Sequence, residues 1–182
     1  MKSKTDKPAS LCSDGLAERV MSRCDALAHH TEEPGRITRR YLTPPIKAVH
    51  LELTRWMQEL GLQVRTDAAG NLVGRLGNPA PDTPVLLIGS HIDTVPNGGK
   101  YDGVLGVLVG LAVAEVLRGR DLPFAIEVVA FSEEEGVRYA KPYLGSAAVA
   151  GNFDPDWLER RDDRDVTMRS AVEAFGLAPD KI

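Results

Sequence analysis

The first third of the chain carries two helical patterns of apolar positions. Apolar residues recur every three or four positions between residues 11 and 29, which predicts a helix with one apolar face. These residues are Leu16, Val20, Cys24 and Leu27. A second helical pattern begins after Thr43 and Pro44, a pair typical of a helix N-cap and first turn, and ends at Gly61. Two amphipathic helices are therefore predicted before the middle of the chain.

The middle of the chain changes to the patterns of strands. The stretch "LQVRTDAAGNLVGRL" (62–76) has two short alternating runs around Gly70 and Asn71, which predicts an antiparallel hairpin at one edge of a sheet. The runs "VLLIGS" (85–90) and "FAIEVVAFS" (124–132) are largely aliphatic, and we expect the first to be a strand covered on both faces. A helix over 103–118 separates these runs, so a right-handed, parallel strand-helix-strand unit is predicted.

The pattern as a whole is that of one α/β domain. Two further helices are predicted at 145–151 and 166–176, separated by the polar stretch 154–165. Neither an internal repeat nor a linker divides the chain, so residues 1–182 are expected to form one unit. The predicted fold is α/β, with a mixed, largely parallel sheet and helices on both faces.

Charge and composition limit the possible functions and say little about the fold. The formal net charge of −4 gives no reason to expect a nucleic acid or an anionic membrane as partner, so a small-molecule ligand is expected. The apolar run 103–117 is shorter than a membrane span of about 20 residues and contains Glu115, which favours a buried helix. No apolar signal segment follows the basic start, and Cys12 and Cys24 lack a metal or disulfide motif. A cytoplasmic protein with reduced thiols is therefore expected.

Two clusters of candidate catalytic side chains follow the two predicted parallel strands. His91 and Asp93 come directly after the strand 85–90, and three glutamates, 133–135, come directly after the strand 124–132. Because the carboxyl ends of neighbouring parallel strands open onto one edge of a sheet, both clusters are expected to face one crevice. Carboxylates gathered in this way repel one another unless a cation neutralises them. The sequence therefore predicts a site for a divalent metal.

The spacing of the first cluster suits a metal site. Residues two apart in an extended chain point the same way, so Asp93 can accept a hydrogen bond from the ring nitrogen of His91 that does not bind the metal. Gly98 and Gly99 let the following loop turn back. This turn carries Asp102 towards the site, where its carboxylate can bridge two ions.

Simpler interpretations of these residues stay open. Asp102 precedes a predicted helix, where aspartate is often only an N-cap, and a run of three glutamates is usually a solvated surface. His29, His30 and His50 lie in or beside predicted helices away from both clusters, and we expect them to be solvated or hydrogen-bonded rather than metal ligands. Lys100 follows two glycines but lacks the spacing of a phosphate-binding loop.

Several of these stretches resemble one known family. The segments "WMQELGLQVRTDAAGNLVGRL", "GSHIDTVPNGGKYDGVLGVLVGL", "EVVAFSEEEGVRY" and "LGSAAVAG" are similar to the amidase, hydantoinase and carbamoylase group of binuclear metallohydrolases. That group includes allantoate amidohydrolase, N-carbamoyl-L-amino acid hydrolase and β-ureidopropionase. The resemblance runs from about Arg36 to the end of the chain, and residues 133–162 look most like an allantoate amidohydrolase.

The resemblance implies a reaction and a role for each matching residue. It implies a metallopeptidase-like catalytic domain that hydrolyses a ureido C–N bond with two zinc or manganese ions. His91 would bind one ion, Asp102 would bridge both, and Glu135 would bind the other. Glu134 would be the general base and acid, and Asp93 would orient His91.

The resemblance also implies that residues 1–182 are the N-terminal part of such a domain. Members of the group are considerably longer, with two later metal-binding histidines and a lid domain through which they form homodimers. None of His29, His30 and His50 matches those two histidines. We therefore consider three hypotheses: the N-terminal part of a hydrolase, a truncated non-catalytic fragment, and a subunit that meets the missing part in trans.

Overall fold

The strands form one mixed sheet, and helices pack against it, which confirms the predicted α/β class. A computed structural model describes residues 15–78, 80 and 82–182. The helices are α1 (Leu16–Ala28), α2 (Pro44–Glu59), α3 (Val104–Leu117), α4 (Leu144–Val149) and α5 (Met168–Phe175). The strands are β1 (Gln63–Thr66), β2 (Leu72–Leu76), β3 (Val85–His91) and β4 (Ala125–Phe131). Cys12 and the start of the helix predicted over 11–29 lie outside the described residues.

The helix ends follow the local signals in the sequence. Thr43 is the N-cap residue of α2, and Gly61, just beyond the end of this helix, adopts a positive φ of 80°. The side chain of Thr167 accepts a hydrogen bond from the main-chain N–H of Ser170 and so caps α5. Gly176 ends α5 in the left-handed conformation. These local signals explain why the predicted helix positions are confirmed.

The sheet has the strand order β1-β2-β4-β3. β1 and β2 form the predicted antiparallel hairpin at one edge, and β3 pairs with β4 in parallel through the connecting helix α3. β2 pairs with β4 in the antiparallel direction. A mixed sheet is thus confirmed, but the expectation that it is largely parallel is wrong for the described strands. The hairpin docks on β4 in the antiparallel direction, so one of the three pairings is parallel.

The environment of β3 also differs from the prediction. We expected this strand to be covered on both faces, but β3 is the second edge of the described sheet. Val85, Leu86 and Leu87 are 42%, 45% and 44% exposed. An aliphatic run indicates that a strand is suited to burial. Whether the strand is in fact buried depends on parts of the protein that are distant in sequence.

Three long helices share one face of the sheet. Gly74 and Val128 are register partners and so point to the same face. Met57 of α2 lies against Gly74, and Gly110 of α3 lies against Val128. α1 packs against α3, while the start of α4 approaches the opposite face beside Phe131. The main core therefore lies between the sheet and α1–α3.

α3 is a partly buried helix rather than a membrane segment. It has 14 residues, and one side of it packs against β3 and β4. In the part of the chain that the structure describes, no helix has both the length and the apolar character required to cross a membrane. The expected burial of the apolar run 103–117 is therefore confirmed for the side that packs against the sheet, but not for the other side, where Leu105 and Val109 are exposed.

Candidate metal centre

The two predicted clusters meet at the carboxyl ends of β3 and β4. His91 ends β3 and is the register partner of Phe131, which ends β4, so the two strands deliver their following residues to the same edge. One ligand atom from each of His91, Glu134 and Glu135 lies within 4.8 Å of the others. The topology thus brings together the histidine of the first cluster and two glutamates of the second.

Asp93 joins the two clusters. This residue is 1% exposed, and its carboxylate accepts hydrogen bonds from the main-chain N–H of Glu134 (3.0 and 3.1 Å) and of Glu135 (3.1 Å). Its Oδ1 lies 3.4 Å from Nδ1 of His91, and its main-chain oxygen lies 3.0 Å from the same nitrogen. This contact turns Nδ1 towards Asp93 and leaves Nε2 on the side of the acidic groups.

Asp102 lies beside His91 but outside the three-residue group. Its Oδ1 is 3.7 Å from Nε2 of His91, and its side chain is 48% exposed. The N-cap of α3 is Gly103, with no capping hydrogen bond from a side chain, so the interpretation of Asp102 as an N-cap is wrong. A Cβ atom at Gly103 would lie 2.5 Å from Nδ1 of His91, and this glycine has a φ of 65°. Glycine here lets the start of α3 approach the histidine ring.

The three glutamates are not a solvated surface. Glu133 is 1% exposed, whereas Glu134 and Glu135 are half-buried. Glu133 accepts a hydrogen bond from the main-chain N–H of Gly136 at 2.7 Å, and its Oε2 finds no hydrogen-bond partner among the described residues. Burial raises the pKa of Glu133, and the charge of Asp93 raises it further. The sequence pattern grouped Glu133 with its two neighbours and did not reveal its burial.

The electrostatics of the cluster favour a bound cation. Burial alone would lower the pKa of His91, but hydrogen bonding and charge from Asp93 outweigh it and raise the pKa to about 9. Burial also raises the pKa of Glu135, and the neighbouring carboxylates add to this effect. His91 is therefore protonated at neutral pH in the metal-free cluster, and a bound cation would replace that proton. An imidazole with several neighbouring carboxylates, Asp102 among them, is a donor set that suits zinc or manganese, so this cluster fits a divalent metal.

The other histidines lie outside this group, as we expected. His50 is 7% exposed, and its Nε2 lies 3.3 Å from Oγ of Ser132, which in turn donates to the main-chain oxygen of Gly70. His29 is exposed, and the main-chain oxygen of His30 accepts a hydrogen bond from Arg39. Within the described ranges, the metal-ligand geometry is found at His91, Glu134 and Glu135. Sequence reasoning missed the contacts of His50 and Arg39 because nothing in the local pattern marks a buried polar residue.

Comparisons with known proteins agree with this fold. A profile of peptidase family M28 matches residues 71–167, more than half of the chain. The N-carbamoyl-L-amino acid amidohydrolase of Geobacillus stearothermophilus is 40% identical over 168 residues, which are 91% of this chain and 41% of that protein. The allantoate deiminase of Arabidopsis thaliana is 36% identical over 163 residues, which are 87% of this chain and 31% of that protein. The crystal structure of a hydantoinase/carbamoylase family amidase from Burkholderia ambifaria matches with a TM-score of 0.80 and 35% identity, over 87% of this chain and 40% of that one.

These comparisons confirm the resemblance found in the sequence and define its extent. The chain spans 31–41% of the length of these three relatives. The region matched by the family profile contains both clusters and their connecting helix. The chain therefore belongs to peptidase family M28 and shares its sequence pattern and fold with amidases of the hydantoinase/carbamoylase family.

Proposed function

We propose that this chain provides one wall of the metal site of a hydrolase that cleaves non-peptide C–N bonds in a small ureido substrate. The observation that carries the proposal is the convergence of His91, Glu134 and Glu135 within 4.8 Å beside the buried Asp93. Relatives named as N-carbamoyl-L-amino acid amidohydrolases and allantoate deiminases support this class of reaction.

The proposed ligands are His91, Asp102 and Glu135, and the proposed cofactors are two divalent ions, zinc or manganese. His91 presents Nε2 towards Asp102, and Glu135 approaches from the other strand, so the three residues border one space. When bound there, the metal would lower the pKa of a water molecule and polarise the substrate carbonyl.

Glu134 is the proposed general base and acid. Its carboxylate takes a proton from the attacking water as the C–O bond forms, and returns this proton to the leaving nitrogen as the C–N bond breaks. Asp93 accepts a hydrogen bond from the main chain of Glu134 and faces Nδ1 of His91, so this one carboxylate orients both residues.

We further propose that residues 1–182 are the N-terminal part of a metallohydrolase catalytic domain. The coverage of 31–41% of the relatives supports this proposal, because most of the length of those proteins has no counterpart here. The longer protein would add a lid domain, form homodimers through it and act in the cytoplasm. A non-catalytic fragment, or a subunit completed in trans, is the alternative for the 182-residue chain.

Allantoate is the proposed substrate, and an N-carbamoyl-L-amino acid is the second candidate. The likeness of residues 133–162 to allantoate amidohydrolases favours the first. The carbamoylase of G. stearothermophilus and the allantoate amidohydrolase of Bacillus subtilis are both 40% identical to this chain, so sequence identity supports both substrates equally.

Metal binding by the purified chain is the first test. We expect isothermal titration of the metal-stripped chain with MnCl₂ or ZnCl₂ to show saturable binding, and we expect His91→Ala and Glu135→Gln to weaken it at least about tenfold. His29→Ala is the matched control because His29 is exposed and outside the cluster. Equal affinity in all four proteins would contradict the proposed site.

Ammonia release tests the reaction. The metal-loaded protein is incubated with allantoate or with an N-carbamoyl-L-amino acid, and we expect Glu134→Gln to abolish the release of ammonia while metal binding persists. A chain that binds metal but releases ammonia from neither substrate would contradict activity of residues 1–182 alone. That result would favour the fragment or the subunit completed in trans.

A further inference from the structure

Arg39 is a buried arginine next to the metal centre but outside its ligand group. It lies in the loop between α1 and α2 and is 2% exposed. The hydrogen bonds of its guanidinium, as far as the structure describes them, go to main-chain carbonyls rather than to carboxylates. Burying a cation in this way is costly unless its surroundings compensate the charge.

The guanidinium bridges the end of α1 and the loop that follows β3. Its Nε donates to the main-chain oxygen of Ile92 at 2.6 Å, and its Nη1 donates to the main-chain oxygens of Leu27 and His30 at 3.0 Å each. The carbonyls at the C-terminal end of a helix lack partners within the helix and carry partial negative charge, so they suit a cation. Ile92 is the residue between His91 and Asp93.

The main chain of Arg39 also forms hydrogen bonds to the loop that follows β3. Its N–H donates to Oγ1 of Thr94 at 3.0 Å, and the N–H of Thr94 donates to the main-chain oxygen of Arg39 at 3.0 Å. On the other side, the N–H of Ile92 donates to the main-chain oxygen of Phe131 at 2.9 Å. Residues 92–94 are thus fixed between Arg39 and the end of β4.

The charge of Arg39 persists despite its burial. Burial lowers the pKa of its guanidinium to about 10, and the negative charge of Asp93 opposes this change. Arg39 is therefore protonated at neutral pH, and its charge is balanced by Asp93 and by the helix carbonyls.

We propose that Arg39 is a positioning residue of the metal centre, which fixes the main chain at Ile92 so that His91 and Asp93 keep their orientation towards the metal. This inference rests on the proposed function only in requiring that the site binds a metal. A planar guanidinium places several N–H donors in a fixed fork and reaches all three carbonyls, whereas a lysine ammonium is a point charge on a flexible stem. Arg39→Lys therefore retains the charge and removes the fork.

The test is the metal affinity of Arg39→Lys against that of Arg40→Lys. Arg40 is the matched control because it is the adjacent arginine and pairs with Glu32 (2.9 Å) and Asp163 (3.3 Å) rather than with the loop 92–94. We expect Arg39→Lys to weaken MnCl₂ binding roughly 10- to 100-fold, as for other residues that orient a metal ligand, and Arg40→Lys to leave the affinity unchanged. Circular dichroism at the titration temperature verifies that each variant is folded.

Two results separate this inference from the proposed function. Wild-type affinity in a folded Arg39→Lys protein would overturn the positioning role and leave the proposed metal site intact. A wild-type chain that binds neither Mn²⁺ nor Zn²⁺ would overturn the proposed site, and this inference with it.

A second measurement does not depend on the folding of a variant. In the wild-type chain labelled with ¹⁵N-arginine, the Nε–H of Arg39 gives its own NMR signal. We expect this signal to exchange slowly with water and to shift with saturation as ZnCl₂ is added, because Nε bonds the carbonyl between His91 and Asp93. A signal that does not shift when Zn²⁺ saturates the site would overturn the inference.

Discussion

The two edges of the sheet are formed by different kinds of strand. β1, the hairpin edge, has four residues, and three of them are exposed and polar: Gln63, Arg65 and Thr66. β3, the open edge, has seven residues and no charged side chain before His91, and its first three residues are exposed aliphatics. Short, charged edge strands are a common protection against unwanted pairing. β1 therefore has the features of a natural edge, and β3 has those of an interior strand.

The helices above the two edges show the same difference. α2 lies over the hairpin and presents Arg55 on its outer side, paired with Glu52 and Glu59. α3 lies over the open edge, and its outer side is mainly apolar: Leu105 is 36% and Val109 46% exposed, and the one charged residue of the helix, Glu115, pairs with Arg19. A helix that is apolar all round is typically covered on all sides. On the open side, both the strand β3 and the helix α3 therefore expose apolar surface of the kind that is usually buried against further protein.

The largest expected effect on stability comes from truncating a leucine in the core, compared with truncating one at the open edge. Leu72 of β2 is 2% exposed and belongs to the main core, whereas Leu87 of the open edge is 44% exposed. We expect Leu72→Ala to lower the free energy of unfolding by about 2–5 kcal/mol because it leaves a cavity in the core. Leu87→Ala should lower it by less than about 1 kcal/mol. Urea denaturation followed by circular dichroism measures both changes.

The pair of variants contains its own control, because the two substitutions remove the same atoms. Equal losses of stability would mean that the open edge is as well covered as the core, and the difference between the two sides would be lost. The dependence of the free energy of unfolding on urea concentration must be the same in both variants and the wild type. Only then do the measured differences reflect stability rather than a change in the compactness of the unfolded chain.

An intermediate effect is expected from acid, through His50 beneath the hairpin. Burial lowers the pKa of His50 from 6.5 to about 4 in the folded protein. The unfolded chain therefore binds a proton at His50 more readily, and stability falls as the pH drops from about 6.5 to about 4. Integrated over this window, the loss is about 3 kcal/mol. Above pH 6.5 this contribution is complete, and below pH 4 it declines no further.

His50→Gln isolates this contribution, because glutamine does not titrate and can still donate to Ser132. We expect the free energy of unfolding of this variant to depend less on pH between 4 and 6.5 than that of the wild type. His29→Gln is the control because His29 is exposed. Identical pH dependence in the wild type and His50→Gln would show that His50 titrates normally in the folded chain.

The sequence predicted what is encoded locally and missed what depends on distant contacts. The ends of α2 and the hairpin turn follow from Thr43, Gly61 and Gly70, whose preferences act over a few residues. The meeting of His91 with the glutamates followed from strand topology alone. The exposure of β3 could not be predicted, because it depends on what lies beside the strand. The burial of Arg39 could not be predicted either, because a buried arginine and a surface arginine look alike in the sequence.

The smallest effect on stability, and the most specific for the open edge, is expected for Leu87→Lys. Leu87 is exposed, so a lysine there reaches water. Its register partner Glu127 already pairs with Arg75 (3.0 Å) and Arg65 (3.7 Å), so the added charge stands beside charges of both signs. We expect the free energy of unfolding to change by no more than about 0.5 kcal/mol.

Leu87→Lys should nevertheless weaken self-association, because an exposed aliphatic edge strand can pair with the same strand of another chain. We expect sedimentation velocity to show association of the wild-type chain with rising concentration, and Leu87→Lys to raise the dissociation constant about tenfold. This shift corresponds to losing the burial of one leucine, about 1.5 kcal/mol. Val149→Lys is the control, because Val149 is an equally exposed aliphatic residue (47%) that lies on the helix α4 rather than on an edge strand. If both variants weakened association equally, general surface hydrophobicity rather than the free edge of β3 would be its cause, and the two edges of the sheet would not differ in this respect.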